Sequence, residues 1–323
     1  MHKRFIVITG AAGMIGSGVV RHLNDQGQHQ LLLVDDLKHG EKWKNLNGKQ
    51  FVDLISKHKL FEWLQTHEAD VDAVVHLGAC SDTVETNGDY LLENNTHYTI
   101  RLAEWALGHN KRFIYASSAA TYGDGKLGFE DDEKALEKLR PLNLYAFSKQ
   151  LVDLWMQRER VFNKVVGIKY FNVFGPNEYH KGRMASMVLK MCRKAQDEGV
   201  IQLYKSNEAR FKDGDQCRDF IYVKDAVRVT CQFLERRDVN GLFNLGLGQT
   251  TTWNELAKAL FHALKKPVRI EYIDMPPELS RQYQNYTCAS MDKLKKHFPF
   301  HCTPISEAVQ DYVQNYLLPD ARW

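Results

Sequence analysis

The sequence predicts an α/β fold: a doubly wound parallel sheet with a smaller C-terminal α/β lobe. Three observations predict it. Short apolar runs alternate with helical patterns in the first half of the chain, a glycine-rich turn joins the first run to the first helix, and the elements shorten after Gly175-Pro176. Phe5 to Thr9 reads as a buried strand, and Gly13 to Asp25 as a helix with Ile15, Val19, Val20 and Leu23 on one stripe. Leu31 to Asp35 and Val71 to His76 are further strands, and Leu91 to Leu107 is a helix. Arg112 to Ser117 is a strand, Leu144 to Phe162 a long helix, and Val165 to Tyr170 another strand. Strands separated by helices of about 10–15 residues imply right-handed crossovers and a sheet covered on both faces, the Rossmann arrangement. Beyond Gly175-Pro176 come helices at Arg183 to Ala195 and Thr252 to Leu264, mixed with strands, while Pro276-Pro277 and Ser280 to Thr287 read as surface loop.

Composition narrows the function. The 323 residues are 44% hydrophobic and 26% charged, which is globular rather than disordered, and 43 basic against 40 acidic side chains form no basic stripe for nucleic acid. No run approaches the 18 apolar residues of a membrane span, and Met1 to Arg4 leads straight into the first strand without a signal-peptide pattern. Six scattered cysteines with no CxxC pair predict reduced thiols in a cytoplasmic protein, and no metal site.

The glycine-rich turn carries the first chemistry. Gly10, Gly13 and Gly16 lie between strand and helix, where glycines permit a tight turn and close approach to a pyrophosphate, and the helix N-terminus offers free N–H groups to phosphate. Asp35 closes the second strand, placed to bind adenosine ribose hydroxyls. That carboxylate suggests NAD, whereas Lys38 and Lys42 are able to neutralise the extra phosphate of NADP, so these residues alone leave the two cofactors open. Residues 1–175, rejoined by about 220–247, are therefore read as a dinucleotide-binding domain, and 176–219 with 248–323 as the substrate-binding lobe.

Tyr145 and Lys149 stand four residues apart on a predicted helix, hence on one face. A phenol near pKa ~10 becomes a general base only if a neighbouring cation favours its anion; lowering it by about 3 units takes roughly 4 kcal/mol. Ser118 and Thr121 follow the strand that ends at the carboxyl edge of the sheet, where ligands of such sheets bind. Each feature also has a plain structural reading: a surface Tyr–Lys pair, or hydroxyls capping a turn.

The G-x-x-G-x-x-G spacing, with Ser118, Tyr145 and Lys149, resembles the extended short-chain dehydrogenase/reductase superfamily. His76-Leu-Gly-Ala-Cys-Ser-Asp-Thr83, Glu93-Asn-Asn95, Tyr170-Phe-Asn-Val-Phe-Gly-Pro176, His180-Lys-Gly-Arg-Met-Ala-Ser-Met187, Arg218-Asp-Phe-Ile-Tyr-Val223 and Phe243-Asn-Leu-Gly246 appear in order. Together they resemble, from about residue 4 to 315, the ADP-L-glycero-D-manno-heptose 6-epimerase family. The resemblance implies oxidation at C6 of a nucleotide-linked heptose and re-reduction on the opposite face, with NADP as cofactor, in a homo-oligomer. It assigns Ser118, Tyr145 and Lys149 to catalysis and Lys181 to a second proton-transfer role. Beside Gly10, Gly13 and Gly16 it places Met14, Ile15, Asp35, Asp36, Lys42, Lys57, Leu77, Gly78, Ala79, Cys80, Ser81, Asn94 and Val173 at the cofactor, with Tyr145, Lys149 and Lys181 touching it as well. Ser118, Asn172, Arg183, Lys190, Tyr204, Lys205, Ser206, Asn207, Arg218 and Tyr283 fall at the substrate. Arg218 also suits a diphosphate on physical grounds, since guanidinium pairs with it bidentately. Departures stand at Arg183 and Lys190, where the family more often has Ser and His, in the longer stretch from Glu208 to Cys217, and at Asp36, an extra carboxylate near the ribose.

A UDP-hexose 4-epimerase shares the Ser, Tyr and Lys and is separated by the His180-Lys181-Gly182 string. A 4,6-dehydratase needs an Asp–Glu pair where this chain has Ser118-Ala119. A non-catalytic dinucleotide sensor on the same fold would not require Tyr145 or Lys149.

Overall fold

The computed structural model describes residues 4–280 and 283–323, so Arg281 and Gln282 of the loop expected over 280–287, and Met1 to Lys3 before the first strand, lie outside the described residues. The strands are β1 (Phe5–Thr9), β2 (Leu31–Asp35), β3 (Asp53–Ser56), β4 (Val71–His76), β5 (Arg112–Ser118), β6 (Val165–Tyr170), β7 (Asn172–Phe174), β8 (Ile201–Tyr204), β9 (Cys217–Arg218), β10 (Phe220–Tyr222), β11 (Gly241–Leu245), β12 (Thr251–Thr252) and β13 (Ile270–Ile273). The α-helices are α1 (Met14–Asp25), α2 (Leu60–Thr66), α3 (Gly88–Leu91), α4 (Tyr98–Gly108), α5 (Leu144–Arg158), α6 (Met187–Asp197), α7 (Val223–Glu235), α8 (Trp253–Ala263), α9 (Pro277–Ser280), α10 (Asp292–Lys295) and α11 (Ile305–Tyr312).

Seven strands form one sheet in the order β11-β6-β5-β4-β1-β2-β3, and every pairing in it is parallel. Strands buried on both faces read as continuous apolar runs, which is why β1, β2, β4 and β6 were legible. The sheet reverses its winding between β1 and β4, so the carboxyl ends of those strands open a crevice there. Three two-stranded ribbons, β7–β10, β9–β12 and β8–β13, build the region beyond the sheet.

Three expected helices differ from expectation by more than two residues, each for a local reason, and the short α9 stands where Pro276-Pro277 and Ser280 read as loop. The helix expected from Arg183 starts at Met187, because Gly182 at φ 50° breaks the preceding 3-10 segment (Tyr179–Met184) and the Ser186 side chain caps the Leu189 N–H. Helix α5 stops at Arg158 rather than Phe162, since Arg160 adopts a left-handed conformation (φ 57°). The helix expected over 91–107 contains a π-turn, Leu92–His97, between α3 and α4.

Candidate active site

A cavity of about 600 Å³ lies in the crevice, within the range of pockets that hold small molecules. All nineteen residues expected at the cofactor line it, from Gly10 through Lys181. Gly10 has φ +66° and backs onto Gly78 so closely that a Cβ would stand 2.7 Å from the Gly78 nitrogen. At Gly16 a Cβ would lie 2.1 Å from the Gly10 carbonyl, so only glycine lets α1 press against the turn. No side chain caps α1, which leaves the donors of its first turn facing the cavity beside Met14 and Ile15.

Acid and base residues shape the ribose end. The buried Asp35 carboxylate accepts from the Ala12 N–H (2.7 Å), the Asp36 N–H (2.6 Å) and Lys42 Nζ (2.5 Å). It therefore fixes the glycine turn itself, and its Oδ2, with one protein donor, retains accepting capacity. Lys38 and Lys57 each lie 3.6 Å from Asp36 Oδ2. Three ammonium groups thus face two carboxylates, a surplus of one positive charge. These features fit a dinucleotide: a cradle that side chains would fill, free N–H groups, a ribose acceptor and a cationic rim.

The π-turn explains how the middle of the cavity is held. It aims Asn94 at Lys57 (Nζ to Oδ1, 2.7 Å) and sends Asn95 into the interior. Asn95 Oδ1 accepts from the Cys80 N–H (2.8 Å), and its amide donates to the Cys80 carbonyl (2.9 Å) and to Ser148 Oγ (3.1 Å). One side chain thereby fixes the Leu77–Ser81 wall to α5. On the other side, Thr9 Oγ1 accepts from the Gly78 N–H (3.1 Å) and lies 2.6 Å from His76 Nδ1, while His76 Nε2 lies 2.8 Å from Thr99 Oγ1. Burial, with Lys149 nearby, drives His76 down to about 3, so it is a neutral strut. Neither Asn95 nor His76 was singled out as a site residue, although both lie in strings that carry the family resemblance.

The structure brings Ser118, Tyr145, Lys149 and Lys181 to the one cavity. Asn143 caps α5 through the Ala146 N–H (2.8 Å), which sets Tyr145 and Lys149 on the face toward the sheet. Lys149 is buried, donates to the Ala116 carbonyl (2.9 Å), and is lowered by burial to about 8. The expected depression of Tyr145 by Lys149 is not found. Burial pushes the phenol upward, and the nearby Ser118 hydroxyl pulls in the opposite direction. The lysine charge that the sequence directs at the phenol is instead itself disfavoured by desolvation.

Lys181 belongs to a separate anchor, the 3-10 segment after β7. Glu178 holds that segment, its buried carboxylate accepting from Ser186 N (2.5 Å), Ser186 Oγ (2.6 Å) and Tyr312 OH (3.0 Å). Asn177 ties it to α1 and the C-terminal residue, donating to Ser17 Oγ and the Trp323 carbonyl (both 3.0 Å). Burial lowers Lys181, with Glu178 opposing, which favours the free amine a base requires.

Of the residues expected at the substrate, only Ser118 lines this cavity. Asn172 is exposed and donates to the Asp219 carbonyl (2.7 Å), one residue from cavity-lining Val173. Arg183 reaches the cavity wall through an ion pair to Asp82 (2.6 Å), and Lys190 donates to the Arg183 carbonyl (2.7 Å). Arg218 forms no salt bridge among the described residues. It is buried over the rings of Tyr283 (5.0 Å) and Trp253 (5.8 Å) and donates to its neighbour, the Cys217 carbonyl. Tyr204 ends β8 on the same side, where Lys205 pairs with Asp274 (2.9 Å), the Ser206 N–H donates to Asp213 (2.8 Å), and Asn207 donates to Ser280 Oγ (3.0 Å). These residues form a second group outside the cavity.

Residues 6–246 match the NAD dependent epimerase/dehydratase family. ADP-L-glycero-D-manno-heptose-6-epimerase from Nitratidesulfovibrio vulgaris is 46% identical over 314 residues, covering 96% of this chain and 97% of that protein. The crystal structure of the Helicobacter pylori ADP-L-glycero-D-manno-heptose-6-epimerase superposes with a TM-score of 0.80 at 26% identity, covering 97% and 96% of the two chains. A UDP-N-acetylglucosamine 4-epimerase from Methanobrevibacter ruminantium superposes at 0.83 with 25% identity, covering 99% and 100%. The chain belongs to the NAD dependent epimerase/dehydratase family, within the extended short-chain dehydrogenases/reductases.

Proposed function

We propose that this protein inverts C6 of an ADP-linked manno-heptose through a transient 6-ketone, with NADP as its preferred cofactor. The observation that carries the reading is the meeting of Tyr145, Ser118 and Lys149 with Lys181, from a separately anchored segment, in the cavity of the glycine turn. The cofactor, when bound, supplies hydride acceptance and return. The chain supplies every proton movement. Tyr145 takes the hydroxyl proton in one orientation of the sugar, Ser118 hydrogen-bonds the reacting oxygen, and Lys149 offsets the charge that develops on the phenol. Inversion presents the second face of the carbonyl, and Lys181 exchanges the proton there. Burial lowers Lys181, which favours the free amine that accepts this proton.

The second group, with Arg218 at its centre, supplies the diphosphate and nucleoside contacts in this reading, so residues 176–219 and 248–323 act as the substrate lobe. Among the described residues no helix is long and apolar enough to cross a membrane. Six free cysteines support a place in the cytoplasm. The exposed Leu142, Leu144 and Phe147 at the start of α5 support self-association into a homo-oligomer.

Incubation with ADP-D-glycero-D-manno-heptose, followed by NMR at C6, tests the reaction. The expected result is a mixture of both C6 isomers without added cofactor. Turnover of a UDP-hexose in its place would reassign the chain to the 4-epimerases. The surplus ammonium charge at the ribose end predicts tighter binding of NADP than of NAD. Lys42→Met is expected to erase about a tenfold part of that preference, the worth of one charge-assisted hydrogen bond. Titration calorimetry with both dinucleotides measures it; equal losses for the two would remove Lys42 as a source of the preference, and an unmodified protein that binds NAD as tightly as NADP would refute the preference.

A further inference from the structure

Lys149 and Asp153 are one helical turn apart on α5 and both are buried, yet they form no ion pair. The Asp153 carboxylate is occupied from the sheet. It accepts from Tyr115 OH (2.9 Å), Ser117 Oγ (2.7 Å) and Lys169 Nζ (2.6 Å). Asp153 and Lys169 side chains are both fully buried, and Lys169 makes its other contacts with Thr121 Oγ1 (2.5 Å) and the Tyr122 ring (5.1 Å). Lys149, by contrast, has one neutral acceptor, the Ala116 carbonyl (2.9 Å). A wholly buried ion pair adds little stability over apolar residues of similar size, so stability alone is a weak reason for this one.

We propose that Lys169 and Asp153 form an electrostatic positioning device, in which Lys169 holds the Asp153 charge against the sheet and leaves the Lys149 ammonium, one turn along α5 from Tyr145, without an ion-pair partner. The inference rests on the reading that Tyr145 and Lys149 perform proton transfer. Lys149 faces few other groups able to cancel its charge. His76 from β4 is held neutral, Tyr115 from β5 is held well above the ordinary phenol range, and burial raises Tyr145 on α5 itself. Cys80, from the loop after β4, lies close to Tyr145. Asp153 and Lys169 are the fixed charges, of opposite sign, and their balance sets what the catalytic pair feels.

The test compares four proteins: unmodified, Lys169→Met, Asp153→Asn and the double variant. Two readouts are taken. One is the ionisation of Lys149, followed by NMR on lysine-labelled protein and assigned through Lys149→Arg. The other is the acid limb of kcat/KM. In Lys169→Met the unpaired carboxylate favours the ammonium and opposes the phenolate, so both are expected to move up by about one pH unit. Asp153→Asn leaves a lone ammonium and is expected to move both down by about as much. The double variant returns both to the unmodified values. Lys149 ionising at one pH in all four proteins overturns the proposal and leaves the pair a packing element. Should a single variant not fold, Tyr115→Phe replaces it, freeing Asp153 of one hydrogen bond at unchanged charge. Lys149 must then rise in Tyr115→Phe and stay put in the double variant, and the absence of that contrast overturns the proposal equally. Turnover of the unmodified protein checks the catalytic reading on its own, because the NMR readout needs no activity.

Discussion

Tyr145→Phe is expected to lower kcat by about a thousandfold, inside the 10²–10⁴ range that a positioned proton-transfer group contributes. The loss should fall on kcat rather than on cofactor affinity, because the ring stays in place and only the hydroxyl beside Ser118 is removed. The geometry also says how the phenol becomes useful. Burying the Lys149 ammonium costs about 3 kcal/mol, the worth of moving its pKa from 10.5 to about 8. Burial raises the phenol and lowers the ammonium, and an anion at Tyr145 beside a cation at Lys149 offsets part of both penalties. Steady-state kinetics alongside titration of the dinucleotide separates the two effects. A tenfold weaker cofactor with unchanged kcat would place Tyr145 among the binding residues.

Lys181→Met is expected to abolish net epimerisation to a similar degree, about 10²–10⁴-fold, while sparing one half of the cycle. Tyr145 and Lys181 come from different elements, α5 and the segment tethered by Glu178 and Asn177. If each serves one face of the carbonyl, the two variants are complementary. In single turnovers Lys181→Met reduces the cofactor with one C6 epimer only, and Tyr145→Phe with the other. Both variants failing with the same epimer would make Lys181 an anchor for substrate rather than a second base.

Much of this was legible because buried parallel strands write themselves as apolar runs and the glycine turn has few alternatives. The Gly10 and Gly16 positions admit no side chain, so their spacing states a backbone requirement. Strand β3 escaped notice because it is a four-residue edge strand, part exposed, with no apolar run. The π-turn escaped because a single wide turn leaves helical periodicity intact on both sides. Asn95 was hidden for the same reason, since only the wide turn drives it inward. Buried charges were the least legible. Asp153 and Lys169 look in sequence like any solvated pair, and both are fully buried. The Tyr145 shift was misjudged because spacing reports that a cation is near, whereas the desolvation that outweighs it depends on everything packed around the phenol.

The division of labour, hydride held by the site and protons moved by the chain, is open to one direct measurement. ADP-heptose carrying deuterium at C6 is turned over to equilibrium in ordinary water, and the C6 position of both isomers is examined by NMR. Return of the same hydride to the opposite face predicts that deuterium stays at C6 in substrate and product alike. Loss of the label to solvent would mean that C6 is deprotonated rather than oxidised, and would contradict the account.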